Sequence, residues 1–319
     1  MDFHSTFLAD TKALFLEGRK EHMGPYLYST PDPNIEGDMA NGEAHYLAVI
    51  NNPSYYLYRE EGELIQSVAD KMASYVPPES SIVEFGPGTQ LAFKIKTLPF
   101  LKQIDRLKRY IPVDLCKTYL DDSEKIVLEV FSGKVSVEKI ETDFIKNVDL
   151  VDRFHNATVL FKGSTIGNLT ASQCLNFLQR LRQSLPSQGL LIIGTDSNQN
   201  EVTLSNAYDD KMAKITESIF HFINRDLPVE GFDPYAFEYK FHWDKDNYCV
   251  AHTVLATEAQ DFTLDGTPVH IDRGTQFHML SSYKYPVEYF QGIARQAGFN
   301  PLDYFVHDNQ RMTVHILAA

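Results

Sequence analysis

Nine residues, Ser81-Ile82-Val83-Glu84-Phe85-Gly86-Pro87-Gly88-Thr89, constrain this chain more than any other stretch. Ile82, Val83 and Phe85 around one acid suit a strand covered on both faces, as in a parallel sheet. Gly86 and Gly88 allow a sharp turn and a closer ligand approach than a Cβ would permit. A dinucleotide fingerprint needs a third glycine three positions after the second, for close helix–strand packing at a pyrophosphate. That position here is Leu91, which disfavours NAD or FAD.

Acids recur downstream at βα spacing. Arg109 to Asp114 reads as a second strand, and the Asp114 carboxylate can accept both hydroxyls of a ribose. Val135 to Ile140 reads as a third, followed by Glu141-Thr142-Asp143-Phe144. Asp143 there can accept from an adenine amine, and Phe144 can lie on a purine face. Taken singly, Asp114 and Asp143 are equally well read as loop acids at strand ends. Acids following all three strands at βα spacing point to a nucleoside-like cofactor, and the missing third glycine points to one without phosphate, such as S-adenosylmethionine.

The alternation continues. The spacing predicts helices over 59–75, 116–131 and 171–185, a strand over 157–161, and an apolar strand over 190–194 running into Thr195-Asp196. A helix over 286–298 and a strand over 311–317 close the chain. This is an α/β, Rossmann-like doubly wound sheet. Between its parts the rhythm changes. Residues 5–22 read as an amphipathic helix, 25–42 as a long irregular segment, 44–51 and 205–222 as helices, and 236–285 as antiparallel strands. The expected organisation is a core over 60–198 and 286–319, with a second α+β domain from 1–59 and 199–285. A ligand site is expected at the C-terminal ends of the core strands, beneath the inserted domain.

Composition narrows the function classes. At 319 residues, a formal charge of −14 and a pI near 5.2, the chain lacks the basic footprint of a nucleic-acid or anionic-membrane partner. Cys116, Cys174 and Cys249 are scattered and odd in number, so neither a disulfide framework nor a zinc cluster is expected. The histidines show no H-E-x-x-H spacing, so no metal is expected. Residues 1–12 carry acids and a histidine without an apolar core, and no 18-residue apolar run occurs; a cytoplasmic setting is expected.

After the fourth strand comes Gly163-Ser164-Thr165-Ile166-Gly167-Asn168-Leu169-Thr170. With Pro53-Ser54-Tyr55-Tyr56, the Val83 to Thr89 turn, Gly194-Thr195-Asp196, Ala207-Tyr208-Asp209-Asp210, Asn224-Arg225-Asp226-Leu227 and Ser282-Tyr283-Lys284-Tyr285, it carries a resemblance over nearly the whole chain. The chain resembles the histidine-specific, S-adenosylmethionine-dependent methyltransferases of ergothioneine biosynthesis, which trimethylate the α-amine of histidine. It is similar too to the fungal dimethylallyltryptophan N-methyltransferases. The resemblance implies a class I methyltransferase core. It implies that Gly86, Gly88, Asp114, Asp143 and Phe144 hold the cofactor, with Lys94 near its methionyl carboxylate. It implies that Asn168 and Tyr208 bind the substrate carboxylate, the Gly163 carbonyl accepts from the amine, Tyr28 lies near that amine, Tyr55 lines the side-chain pocket and Ser282 contacts the ring.

Two positions depart from the family. The imidazole-binding glutamate is Leu280 here, and the methionine that packs on the ring is Ala251, or His252 if the register slips by one. A leucine cannot satisfy an imidazole N–H, and the smaller residue enlarges the pocket, so another aromatic amino acid such as tryptophan is expected. His278 shares the face of Leu280 only if no bulge intervenes. Without the resemblance, Tyr55 and Tyr208 read as core packing and Asn168 as a helix cap. Two other functions remain open: aminopropyl transfer, as in nicotianamine-type synthases, and a cofactor-binding homologue without turnover.

Overall fold

The structure, a computed structural model, describes residues 3–29, 32–208 and 210–319, apart from the side chains of Tyr28 and Glu43. In chain order its strands are β1 (Ser81–Phe85), β2 (Arg109–Asp114), β3 (Ser136–Val137), β4 (Ile140–Glu141), β5 (Ala157–Phe161), β6 (Leu190–Asp196), β7 (Val229–Glu230), β8 (Phe237–Asp244), β9 (Cys249–Ala256), β10 (Gln260–Leu264), β11 (Thr267–Ile271), β12 (Gln276–Tyr283), β13 (Asn300–Val306) and β14 (Met312–Ala318). They fall into two units, Leu57–Gln199 with Lys284–Ala319 and Met1–Tyr56 with Asn200–Tyr283.

The first unit is the doubly wound core. Its eight-stranded sheet runs β13-β14-β6-β5-β1-β2-β3, with β4 also on β2. β1 pairs in parallel with both β2 and β5, so the strand order reverses at β1. Such a reversal is where doubly wound sheets take their ligands, at the C-terminal ends of the strands. The inner strands are mostly apolar because both faces are covered: every residue of β1, β5 and β6 is buried, Glu84 and Asp196 among them. Helices Tyr56–Ser74, Lys117–Val130, Ala171–Ser184 and Val287–Gln296 supply the cover. The first of them buries Leu64, Ile65, Val68 and Met72 at helical spacing.

Three elements differ from the sequence expectation. The strand over 135–140 is two short pieces, because Glu138 and Lys139 turn outward to Arg109, Arg153, Asp121 and Glu124. The helix over 205–222 is two, Glu201–Ala207 and Asp210–Asp226, the first capped by the Asn200 side chain on the Thr203 N–H at 2.9 Å. Edge strand β13 was not expected; Pro301 and a register shift before Asp303 hide its period-2 signal.

The second unit combines helices Phe3–Glu17, Gly42–Ile50 and Asp210–Asp226 with sheets β11-β10-β7 and β12-β9-β8. Phe220 stacks on Phe237 at 4.0 Å and Phe7 on Phe222 at 4.4 Å, an aromatic core that ties the N-terminal helix to the insertion. The segment 25–42 is pinned by an ion pair between Asp38 and Arg225. Among the described residues no helix is long and apolar enough to cross a membrane.

Candidate active site

In the core unit the turn after β1 is built by local chemistry. Gly86 and Gly88 both hold φ +71°, which an L side chain rarely adopts, and the Gly86 N–H closes onto the Val113 carbonyl at 2.9 Å. Thr89 caps the following helix by accepting the Ala92 N–H through Oγ1 at 3.2 Å. A Cβ on Gly86 would come within 3.9 Å of the Phe144 ring, so Phe144 sits beside this turn. That half-buried ring stacks on Phe85 at 5.0 Å and 2°, an arrangement that uses one of its faces. Asp143 turns its own loop, accepting the Ile145 N–H through Oδ1 at 3.0 Å and pairing with Lys146 at 3.3 Å. Asp114 accepts the Cys116 N–H through Oδ1 at 2.8 Å. Burial lifts its carboxyl above the ordinary carboxylate range, against backbone N–H groups that lower it. Two carboxylate oxygens offer about four lone-pair positions, so room remains for hydroxyl donors.

Beside the turn, the loop after β5 is tethered by two buried acids. Glu84 of β1 pairs with Lys162 at 2.5 Å and accepts hydrogen bonds from Thr97 and Tyr110. The Tyr110 hydroxyl is held well above its usual range by burial first and by Glu84 second. Glu61 accepts the Gly163 N–H at 2.8 and 3.0 Å and pairs with Lys96 at 2.6 Å. Burial lowers the Lys96 ammonium from its usual range, with Glu61 opposing. A Cβ on Gly194 would collide with Glu61 Oε1, which explains that glycine. Lys94 is exposed on the π-type turn Phe93–Thr97, and the lysine that turns inward from it is Lys96, on Glu61.

The loop itself holds Ser164 in the left-handed region at φ +53°, with a buried Oγ that lacks a hydrogen-bond partner. Asn168 is exposed at the end of the turn Thr165–Asn168 and caps nothing. The next helix is capped by Thr170, in a capping box with Gln173. Asn168 therefore keeps its amide for another partner. Two positive-φ glycines, a half-buried carboxylate at the end of β2, an acid and an aromatic beside the turn, and an orphaned hydroxyl fit an adenosyl sulfonium.

In the second unit, Tyr208 is buried, its ring edge-on to Tyr55 at 6.1 Å and to His252 at 4.9 Å, and stacked on Phe241 at 6.4 Å. β12 and β9 pair Leu280 with His252 and Ser282 with Val250. Side chains alternate across a strand, so Leu280, Ser282 and His252 share one face and Ala251 lies on the other. Of the two residues that the resemblance leaves open, His252 is the one opposite Leu280, and Ala251 lies on the other face. Ala251 instead lines a cavity of about 480 Å³ with His242, His278 and Tyr283. A bulge between His278 and Leu280 sends His278 to that second face, where it bonds Ser281 Oγ at 2.8 Å. The Tyr28 side chain lies outside the described residues.

Sequence reasoning missed Glu61, Lys96 and Ser164. Glu61 sits in a run of charges that resembles a solvated helix face, and its partner is 102 residues away. Ser164 carried a readable signal, a non-glycine squeezed after Gly163 in a tight loop.

The model of the family described as histidine-specific, SAM-dependent methyltransferases matches residues 17–319. A histidine N-alpha-methyltransferase of Mycolicibacterium smegmatis is 26% identical over 232 residues, 72% of this chain and 71% of the relative. One from Mycobacterium tuberculosis is 29% identical over 195 residues, 60% of each chain. The N-methyltransferase dtpB of Aspergillus flavus is 21% identical over 286 residues, 84% of this chain and 79% of that one. A family match across almost the entire chain, on a class I α/β core with the glycine turn and strand-end acids in place, has one meaning: the chain belongs to the histidine-specific, S-adenosylmethionine-dependent methyltransferase family and is an N-methyltransferase.

Proposed function

We propose that this enzyme methylates the α-amine of a free aromatic amino acid other than histidine, with tryptophan the leading candidate. The observation that carries the reading is Leu280, 8% exposed, on the face shared by Ser282 and Tyr208's neighbour His252. Resemblance to the histidine enzymes puts an imidazole-binding glutamate at that position. Leaving an imidazole N–H there without an acceptor costs about 1–3 kcal/mol, or about 5- to 150-fold in affinity. The aromatic rings of Tyr55, Tyr208 and Phe241 suit a larger apolar ring instead.

The cofactor supplies an electrophilic methyl group on a sulfonium. The remaining chemistry belongs to the chain. Gly86, Gly88, Asp114, Asp143 and Phe144 are the proposed cofactor contacts. Asn168 and Tyr208 are proposed to hold the substrate carboxylate, and the Gly163 carbonyl to accept from the amine. Glu61 holds the Gly163 N–H, which anchors the Lys162–Gly163 peptide at the start of this loop, and the amine's approach is proposed to be set by position rather than by an acid or base. An α-amine titrates at about 8, so a proton leaves before each transfer to a protonated amine; water, alone or bridged to Tyr28, is the proposed acceptor.

Incubating the purified protein with S-adenosylmethionine and each of the twenty amino acids, read by product mass, tests this. One to three added methyl groups on the α-nitrogen of an aromatic amino acid are expected. Preference for histidine, or labelling of a side chain, overturns the reading. An aminopropyl mass gain favours the synthase alternative, and cofactor binding without any methyl loss favours the inactive one.

A further inference from the structure

The second unit holds a buried imidazole that no proposed role yet uses. His252 is 0% exposed. Its Nδ1 lies 2.8 Å from the Tyr239 hydroxyl and its Nε2 3.1 Å from Ser282 Oγ. The ring is packed edge-on against Tyr208 and more nearly parallel to Tyr239, at 5.9 Å and 30°. Leu280 lies directly across the strand pair. Both ring nitrogens are thus taken by the protein, and the polar atom that the cluster has left to offer is the half-exposed Ser282 hydroxyl.

We propose that His252 is the specificity-determining residue of the side-chain pocket: anchored by Tyr239, it fixes Ser282 as a single polar contact and so selects aromatic rings bearing one hydrogen-bonding group. This rests on the proposed function above. A neutral imidazole has one donor and one acceptor nitrogen. When Nε2 accepts the Ser282 O–H, the serine presents lone pairs that suit an indole N–H. When Nε2 donates, the serine O–H is turned outward and suits a phenol oxygen. A substrate imidazole needs two partners at once, and Leu280 supplies none. Phenylalanine has no group for Ser282 and gains nothing from it. The ranking expected is tryptophan, then tyrosine, above phenylalanine and histidine.

The test is the ratio of kcat/KM for tryptophan to that for phenylalanine, measured on the full chain. Phenylalanine serves as an internal control, because a merely structural loss lowers both values together. Ser282→Ala and His252→Phe are each expected to lower the ratio about fivefold, as the loss of one neutral hydrogen bond of about 1 kcal/mol does. The double variant is expected to match either single one, since the two act as one chain. His252→Gln, which restores a donor and an acceptor, is expected to recover most of the ratio, and His252→Leu, with the same loss expected as for phenylalanine, serves if the phenylalanine variant does not fold. An unchanged ratio in Ser282→Ala or in the apolar His252 variant, or additive losses, overturns this inference while leaving the aromatic reading intact. A wild-type enzyme that methylates no aromatic amino acid overturns the reading itself.

Discussion

Under the Gly163 loop of the core unit the buried polar groups are charged and matched one to one, Glu61 with Lys96 and Glu84 with Lys162. Behind Ser282 in the second unit they are two hydroxyls and an imidazole: Tyr239, His252 and Ser282 form a chain of hydrogen bonds. The contrast separates two tasks. A buried ion pair has one good arrangement, because either charge alone is poorly tolerated, so it suits a backbone segment that must not move. A neutral hydroxyl–imidazole–hydroxyl chain can reverse its donors and acceptors at little cost, so it suits a surface that discriminates between rings. On this view the transfer geometry is held rigidly in one unit and the choice of side chain is adjustable in the other.

The largest expected effect comes from breaking a charged pair. Glu61→Leu leaves Lys96 buried without a counter-charge and the Gly163 N–H without an acceptor, and should lower stability by about 3–5 kcal/mol. Adding Lys96→Met should recover most of that loss in urea denaturation. A double variant as unstable as the single one would refute the account of the core cluster.

An intermediate effect comes from a second buried imidazole, in the core. His315 bonds Thr195 Oγ1 at 3.1 Å through Nε2, while its Nδ1 has no partner, and burial pushes its pKa down to about 3. Unfolded, it titrates at about 6.5. The unfolded chain therefore binds the extra proton first, so this stability is complete above that pH and is lost as pH falls towards 3. Its share of the slope reaches about 1.4 kcal/mol per pH unit. Denaturation from pH 7 to 4 should show the slope in the native chain and its loss in His315→Gln; an unaltered slope would contradict it.

The smallest expected effect is Tyr239→Phe, which removes one neutral hydrogen bond from the second cluster at about 0.5–1.5 kcal/mol. A loss comparable to that of Glu61→Leu would erase the distinction between the two clusters.

How much of this was legible depended on range. The β1 turn could be read residue by residue, because Gly86 and Gly88 answer a purely local demand for positive φ. The acid after β2 could be placed because a strand ends where its apolar run ends. The inward turn of Lys96 could not be read, since a helix with one residue more per turn rotates later side chains by about 100°, and nothing in the local composition announces it. The faces of Ala251 and His278 were likewise hidden: a bulge in β12 reverses the alternation on which any such assignment depends.

The sequence by itself determined the α/β rhythm, the glycine turn and the acids at the strand ends, because each is written in neighbouring residues. Tertiary structure alone decided that Glu61 reaches Gly163 and that His252, not Ala251, stands across from Leu280. The reason is physical. A buried charge or imidazole takes whatever partner the folded register brings within reach, and register is a property of paired strands rather than of either strand.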